Sequence, residues 1–380
     1  MGFNPMIPAF LQEKIEKAPD RKLNFAEYMM TVLYHPSEGY YMKPKNKVGT
    51  KGDFITSSNV HTVYGKLFAK LLVKYFNETD IPPVIIEIGG GSGRFAKHLL
   101  EEFKLLDPLL YRRLSYVMVE TSSYHIHLQK TTIPDSVPVN YFISLEDVPD
   151  RFRKGVLFSN ELFDALPVHV IEYTNGTLKE VFVTIGEDRN LSERSLPLDN
   201  EEIQAYISKN KLIFSEGQRM EIPLAMMHYA NILGEWLLAG TIITVDYGYR
   251  FSELASQDLL EGSLRGYHQH QLVKDPLKYP AEMDLTSHIH LDALEASFDD
   301  WKFSHVGTMR QGEFLVEAGI LEYLQENQDP DPFSEKSKQN RAIRTLIMDS
   351  SWSHSFQVLI HEKGSDSWGT IIDFKNNKKR

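Results

Sequence analysis

PPVIIEIGGGSG, residues 82–93, is a short apolar run closed on one side by two prolines and on the other by a cluster of glycines. A few apolar residues between such breakers read as a strand buried on both faces, the kind found inside a parallel sheet. Phe95, Leu99, Phe103 and Leu106 then recur at the spacing of one helical face, so a helix leaves the glycine loop. Strand, glycine loop and helix in that order open a doubly wound α/β fold.

The neighbouring sequence extends the pattern. LSYVMVE (114–120) is the next apolar run, and GVLFSNELFDALP (155–167) holds another that ends near Ser159. Ile222, Met226, Tyr229, Leu233 and Trp236 trace an amphipathic helix that stops at Gly240, and GTIITVDYG (240–248) follows as a further buried strand. WKFSHVG (301–307) and SFQVLIHE (355–362) read as late strands, with an exposed helix over SEKSKQNRAIRTLI (334–347) between them. Strands alternating with helices predict one parallel sheet. Two segments interrupt it. VHVIEYTNGTLKEVFVTIG (168–186) has two alternating runs joined at Asn175-Gly176, a strong hairpin signal. Residues 249–300, rich in His, Pro and polar side chains, read mostly as loop. The expected organisation is an N-terminal cap over 1–80 and a core over 81–248 that carries the hairpin. A substrate-side insertion over 249–300 follows, then the end of the sheet with a helical insertion and a basic tail over 301–380.

Gly89, Gly91 and Gly93 permit positive φ and close approach of a ligand, while the following helix presents free N–H groups. A dinucleotide fingerprint requires glycine at position 94, where this chain has Arg94. The G-x-G-x-G spacing, with the acidic Glu87 before it, suits S-adenosylmethionine instead. That cofactor has no phosphates, so the loop would touch its amino-acid end and ribose. Glu120, at the tip of the next strand, is placed to accept hydrogen bonds from the ribose hydroxyls. A tight turn with nothing bound would explain the glycines alone, but not two well-placed carboxylates.

Composition narrows the class. The 380 residues include no cysteine, which excludes a disulfide framework, a Cys-ligated zinc and a thiol nucleophile. Acidic residues outnumber basic ones 52 to 41, a formal charge of −11 that weighs against a nucleic-acid partner. The one clear basic run, Lys375–Arg380, reads as a solvated tail. No stretch approaches the roughly eighteen apolar residues of a membrane helix, so no membrane contact is expected. MGFNPMIPAFLQEKIEKAPDRK lacks a secretory h-region and carries acids that a transit peptide avoids, so a cytoplasmic protein is expected. His125/His127, His268/His270 and His288/His290 are H-x-H pairs, a spacing that puts both rings on one face of a strand, as in some metal sites. Without cysteine or H-E-x-x-H to support them, substrate contacts or polar surface read better, and no metal is expected.

HPSEGYYM (35–42), GDFITSS (52–58), IIEIGGGSG (85–93), NELFDALPVH (160–169), DYGY (246–249), SLRGYHQH (263–270), MDLTSHIHLDAL (283–294) and QGEFLVEAGI (311–320) stand in telling order. Together they resemble the MidA-like methyltransferases over residues 20–362. The resemblance implies an α/β, doubly wound class I methyltransferase sheet that uses S-adenosylmethionine, with an N-terminal cap and internal insertions. That family includes a mitochondrial protein arginine methyltransferase, so a protein substrate, arginine first, is implied as well. The chain departs from the family at GGGSGRF, commonly nearer G-P-G-R-G-T, and at SLRGY, usually T-L-R-x-Y. The binding glycines survive these changes; the acceptor is what such drift can alter.

Methyl transfer from a sulfonium is an in-line displacement, so the protein must hold the nucleophile on axis and accommodate its proton. Ligands of open α/β sheets lie outside the carboxyl ends of the strands. Asn160 and Glu161 fall at such an end, with Asp164 one helical step on, and these three are the catalytic candidates. A carboxylate there can grip a guanidinium through paired hydrogen bonds. A capping Asn160 and an ordinary surface Glu161 would explain the same letters. Gly52, Asp53, Phe54 and Thr56 read equally as a turn before a strand or as a lid on the cofactor, and the resemblance favours the lid. Asp246, ending a central strand, is a cleft candidate, and Asp284 and His288, in a block the resemblance covers, join it on the substrate side. Tyr40, Tyr41, Tyr247 and Tyr249 read as packing or as a stacking surface. The leading expectation is an enzyme that methylates a protein side chain. A methyltransferase for a small molecule or another residue type is the first alternative. A cofactor-binding assembly factor with little turnover is the second.

Overall fold

The computed structural model describes residues 7–45, 47, 52–53, 61–134, 136–256, 259–326, 331, 333–348 and 356–374. The chain divides into two compact units, each assembled from separated stretches. One comprises Met1–Phe54, Phe163–Ala230 and Tyr247–Ser297; the other comprises Ile55–Leu162, Asn231–Asp246 and Phe298–Arg380. The end of the segment read as an N-terminal cap, from Ile55 on, therefore belongs with the sheet-bearing second unit.

In that second unit the strands are β1 (Val84–Ile88), β2 (Ser115–Val119), β3 (Val139–Phe142), β4 (Lys154–Asn160), β5 (Ala239–Tyr249, as far as Asp246), β6 (Ser304–Arg310) and β7 (Phe356–Lys363). They lie in the order β6-β7-β5-β4-β1-β2-β3. β1 is parallel to β2 and β4, β2 to β3 and β4 to β5, while β6 and β7 pair antiparallel. The chain runs outward from β1 through β2 to β3, then returns to set β4 on the other side of β1. That reversal makes the gap between the carboxyl ends of β1 and β4 a topological switch point, where such sheets bind ligands.

All five residues of β1 are buried, as its unbroken apolar run requires. Two helices, α1 (Thr62–Glu78) and α2 (Arg94–Leu106), pack their aromatic faces into the same core. The Phe95 ring of α2 stacks on Phe158 of β4 at 4.4 Å, and Phe68 of α1 meets Phe158 at 5.1 Å. Leu106, expected on the buried stripe, is the last helical residue and is 44% exposed; Leu100 completes the face instead. In the helix Glu335–Ile347, read as exposed, Ala342, Ile343 and Leu346 are buried.

The first unit holds an antiparallel sheet of five strands, ordered Lys22–Asn24, Thr177–Ile185, His169–Thr174 and Arg219–Ile222, with Leu191–Pro197 added to Thr177–Ile185. The expected hairpin is present. Asn175 and Gly176 have φ of 53° and 72°, both positive as a two-residue I′ turn demands. The helix Phe25–Tyr34, opened by an Asn24–Glu27 capping box, brings Tyr28, Met29, Val32 and Leu33 into one core with Val168, Val170, Val181 and Val183. Ile222, expected on a helix, ends a strand, because Pro223 separates it from the helix Leu224–Trp236. Residues 249–300 are more ordered than a loop. Gln271–Val273, Arg265–His268 and Asp284–Thr286 form a second antiparallel sheet, of strands too short to show alternation. Among the described residues no helix is long and apolar enough to cross a membrane.

Candidate cofactor and methyl-transfer site

The glycine loop leaves β1 with Gly89, Gly91 and Gly93 at φ of 69°, 50° and 78°. The Gly89 N–H donates to the Val119 carbonyl at 3.0 Å, tying the loop to β2. A Cβ built on Gly91 would meet nothing within 4 Å, whereas one on Gly89 would stand 3.2 Å from Leu162 Cδ1 and one on Gly93 3.1 Å from Gln129 Cα. Gln129 is fully buried on α3 (Ser123–Thr132) and donates Nε2 to the Gly91 carbonyl at 3.1 Å. The loop is thus shaped from one side and open at Gly91. That is a cradle for a ligand lying against backbone, and it fits S-adenosylmethionine.

Two carboxylates flank the cradle. Glu87, 3% exposed on β1, accepts from Tyr116 Oη at 2.7 Å. Burial pushes its carboxyl up to about 7, with the Glu120 charge adding to the rise and the Tyr116 bond opposing it. Glu120, just past β2, accepts the Ser122 N–H at 2.9 Å through Oε1, while Oε2 lies 3.6 Å from His125 Nδ1. Tyr116, Ser122, His125 and Gln129 were not singled out as supports of the site by sequence reasoning. His125 and His127 lie on a helix, not a strand, so their rings do not share a face. Among the described residues no cluster of three His, Cys, Asp or Glu could hold a metal ion.

Across the switch point, β4 ends in Asn160, and Glu161 follows with φ of 53°. A left-handed backbone is uncommon for a side-chain-bearing residue, costs about 1–3 kcal/mol, and persists only where its surroundings over-determine it. They do so here. The Glu161 N–H donates to the Val245 carbonyl at 2.8 Å, and the Leu162 N–H donates to Asp246 Oδ2 at 3.2 Å. Asn160 Nδ2 donates to Glu161 Oε1 at 2.9 Å, and Tyr64 Oη donates to Asn160 Oδ1 at 3.1 Å. Tyr64 is itself buried and reaches Gln311 Oε1 at 3.5 Å. Asp246, expected to face a cleft, is fully buried and steadies this turn. Gln311 opens the QGEFLVEAGI block, whereas nothing in the sequence around Tyr64 marks it as part of this site.

The remaining candidates lie in the first unit. Asp164 is 2% exposed, and its charge acts on Tyr41, whose hydroxyl donates to Asp284. Burial raises the Asp284 carboxyl to about 6, against the Tyr41 bond. Asp53 is buried beside a buried Gly52, and its carboxylate accepts Tyr40 Oη at 2.8 Å and the Gln269 N–H at 2.9 Å, with Lys45 Nζ at 3.2 Å. His288 is buried and accepts from Arg265 at 2.6 Å. Phe54 and Thr56 lie outside the described residues.

A doubly wound sheet with a glycine cradle and an acidic residue after each of β2 and β4 defines a class I S-adenosylmethionine-dependent methyltransferase. The chain belongs to the family described as S-adenosyl-L-methionine-dependent methyltransferases, whose profile matches residues 67–307. It is 25% identical to the mitochondrial protein arginine methyltransferase NDUFAF7 of Homo sapiens over 346 residues, covering 83% of this chain and 74% of that protein. The mitochondrial NDUFAF7 homolog of Drosophila melanogaster is 27% identical over 338 residues, 80% and 75% of the two chains. A Burkholderia thailandensis protein crystallised with S-adenosyl-homocysteine shares the fold, with a TM-score of 0.84 at 24% identity over 94% of this chain and 91% of its own. These relatives overturn the cytoplasmic expectation, since both carry a mitochondrial name. That expectation rested on a leader pattern missing from the first residues, which by itself names no compartment.

Proposed function

We propose that this methyltransferase modifies arginine side chains of a protein substrate, with Glu161 and Asn160 holding the guanidinium. The observation that carries the reading is the backbone of Glu161. A carboxylate is held at left-handed φ, bonded by Asn160, at the carboxyl end of a switch-point strand. Such strain persists where a side chain must be aimed. The names of the human and fly relatives, both protein arginine methyltransferases, support the choice of acceptor.

S-adenosylmethionine, held by the glycine cradle with Glu87 and Glu120 beside it, supplies an electrophilic methyl group and departs as S-adenosylhomocysteine. The chain's own groups do the rest. A guanidinium stays protonated at neutral pH and presents its donors as a planar fork, which a carboxylate matches with two bonds. Glu161 orients the fork so that one nitrogen faces the methyl carbon. As the new C–N bond forms and the S–C bond breaks toward sulfur, one proton leaves the guanidinium, and Glu161 receives it for release to solvent. Asn160, fixed by Tyr64, sets the carboxylate plane, and Asp246 keeps the turn beneath it. Asp164 and Asp284, with Tyr41, form a buried polar group of the first unit.

The test uses labelled methyl donor, the purified chain and a mitochondrial extract, with labelled residues identified by mass spectrometry. Label in methylarginine supports the reading, and label confined to other residues or small molecules replaces it. Glu161→Gln keeps size and polarity but removes the charge. It should leave cofactor affinity near normal and lower turnover by about 10²-fold or more. Full activity in that variant removes Glu161 from the mechanism, and lost cofactor binding moves it to the cofactor side.

A further inference from the structure

Two arginines of the first unit are each held by carboxylates. Arg219 grips Glu193 through two bonds of 2.6 and 2.7 Å, and Arg250 grips Glu295 at 2.5 and 2.8 Å with Asp292 at 2.9 Å. Arg265 differs. Among the described residues it has no carboxylate partner, and its Nη2 bonds to His288 Nε2 at 2.6 Å. A guanidinium only donates, so Nε2 accepts and the neutral ring carries its proton on Nδ1. Burial, with the Arg265 charge beside it, holds His288 well below the usual histidine value and keeps the ring neutral.

Two donors in this pair are stranded. His288 Nδ1 and Arg265 Nε are buried without a hydrogen-bond partner among the described residues. The nearby acid is engaged only through Oε2; its Oε1 is buried without a hydrogen-bond partner among the described residues and bonds to neither donor. Glu221 accepts the Ser263 N–H and hydroxyl, both at 2.8 Å, and the Ser263 oxygen in turn accepts the His288 N–H at 2.9 Å. Buried donors without acceptors are unfavourable and rare in native proteins, so a site that keeps them, next to an unneutralised cation, is built for an incoming acceptor. Tyr249, edge-on to His288 at 4.6 Å, gives the pair an aromatic wall that lowers the local dielectric.

We infer that Arg265 and His288 form a subsite for a carboxylate. That group carries a negative charge and two oxygens in one plane, which matches the guanidinium fork and leaves a lone pair for a further donor. Both the amino-acid end of the cofactor and an acidic group of the methyl acceptor offer this chemistry. The inference goes beyond the arginine reading and needs no particular acceptor.

Two measurements on the full chain decide it. Calorimetry compares S-adenosylhomocysteine with 5′-methylthioadenosine, the same nucleoside thioether without the amino-acid carboxylate, in wild type, Arg265→Met and Arg265→Lys. Nuclear magnetic resonance follows the Arg265 Nε–H of wild type, saturated with S-adenosylhomocysteine, as sodium acetate is added. A loss of about tenfold or more in S-adenosylhomocysteine affinity in Arg265→Met, partly restored by Lys, with 5′-methylthioadenosine unaffected, places the cofactor's carboxylate there. Unchanged affinity for both nucleosides, with a saturable acetate shift, assigns the subsite to the acceptor. Equal losses for both nucleosides, or no change and no saturable acetate shift, overturn the inference. The acetate titration needs no variant, and repeated on the cofactor-free wild type, where either source leaves the subsite open, it must give a saturable shift, so a misfolded Arg265→Met still leaves a decisive result. Neither measurement requires turnover, which keeps this outcome separate from that of the arginine reading.

Discussion

Glu87 shows how one buried side chain couples the site to solvent pH. Its carboxyl sits at about 7 in the folded chain against 4.5 in the open, because burial disfavours the charged form. The folded state therefore holds a proton that the unfolded state has lost between those values. Stability from this group is fully present below pH 4.5 and is lost as pH rises through 7. Thermal midpoints of the cofactor-free protein should show this slope, and Glu87→Gln should flatten it; an equal slope in the variant would place its origin elsewhere. Glu120 differs in that its carboxylate is held by the Ser122 N–H at Oε1, with His125 Nδ1 3.6 Å from Oε2. Glu120→Ala should weaken S-adenosylhomocysteine by about 1.5–3 kcal/mol, the range for bonds to a charged group. Wild-type affinity by calorimetry would show that another acid holds the ribose.

Among the elements, glycines of one sheet serve two different ends. Gly91, at φ 50°, has open space where a Cβ would project. Gly155 of β4 and Gly240 of β5 are paired across the ladder, and a Cβ on them would stand 2.3 Å from the Val84 carbonyl oxygen and 1.8 Å from the Gly155 carbonyl oxygen. The expected outcomes separate accordingly. Gly91→Val should fold, with stability lowered by about 1–3 kcal/mol because valine is strained at positive φ, and fail to bind S-adenosylhomocysteine, because the branched side chain fills the cradle. Gly155→Ala should lose about 3 kcal/mol or more of stability, since backbone cannot yield as a side-chain tip does. A Gly91→Val protein that binds normally, or a Gly155→Ala protein of wild-type stability, would reverse the assignment of that glycine.

For the molecule as a whole, the net charge of −11 bears on the acceptor rather than on the cofactor. A negative field attracts a cationic arginine segment, and salt screens that attraction beyond about 10 Å at 0.1 M. With a basic acceptor peptide, kcat/KM should fall as sodium chloride rises, while the affinity for S-adenosylhomocysteine changes little. A salt-independent kcat/KM would argue for an acceptor without positive charge, and so against an arginine-rich segment. The glycine loop and Glu161 lie in one unit, and Asp164, Asp284, Arg265 and His288 in the other.

Features carried by neighbouring residues were legible in the sequence. β1, its glycine loop and α2 follow from an apolar run, three glycines and a helical stripe, and the Asn175-Gly176 turn follows from the two residue types that tolerate its φ. Glu161 was legible as an acid at a strand end, but not as a residue at left-handed φ. That conformation depends on Val245 and Asp246, more than eighty residues away, which bond to its own N–H and to that of Leu162. The same distance hid Tyr64, which meets Asn160 at a separation of 96 residues and Gln311 at 247, and Arg265, whose partner lies 23 residues on. Periodicity and turn chemistry record what a residue does with its near neighbours. A hydrogen bond between distant side chains leaves no such trace, because only the folded topology brings the two together.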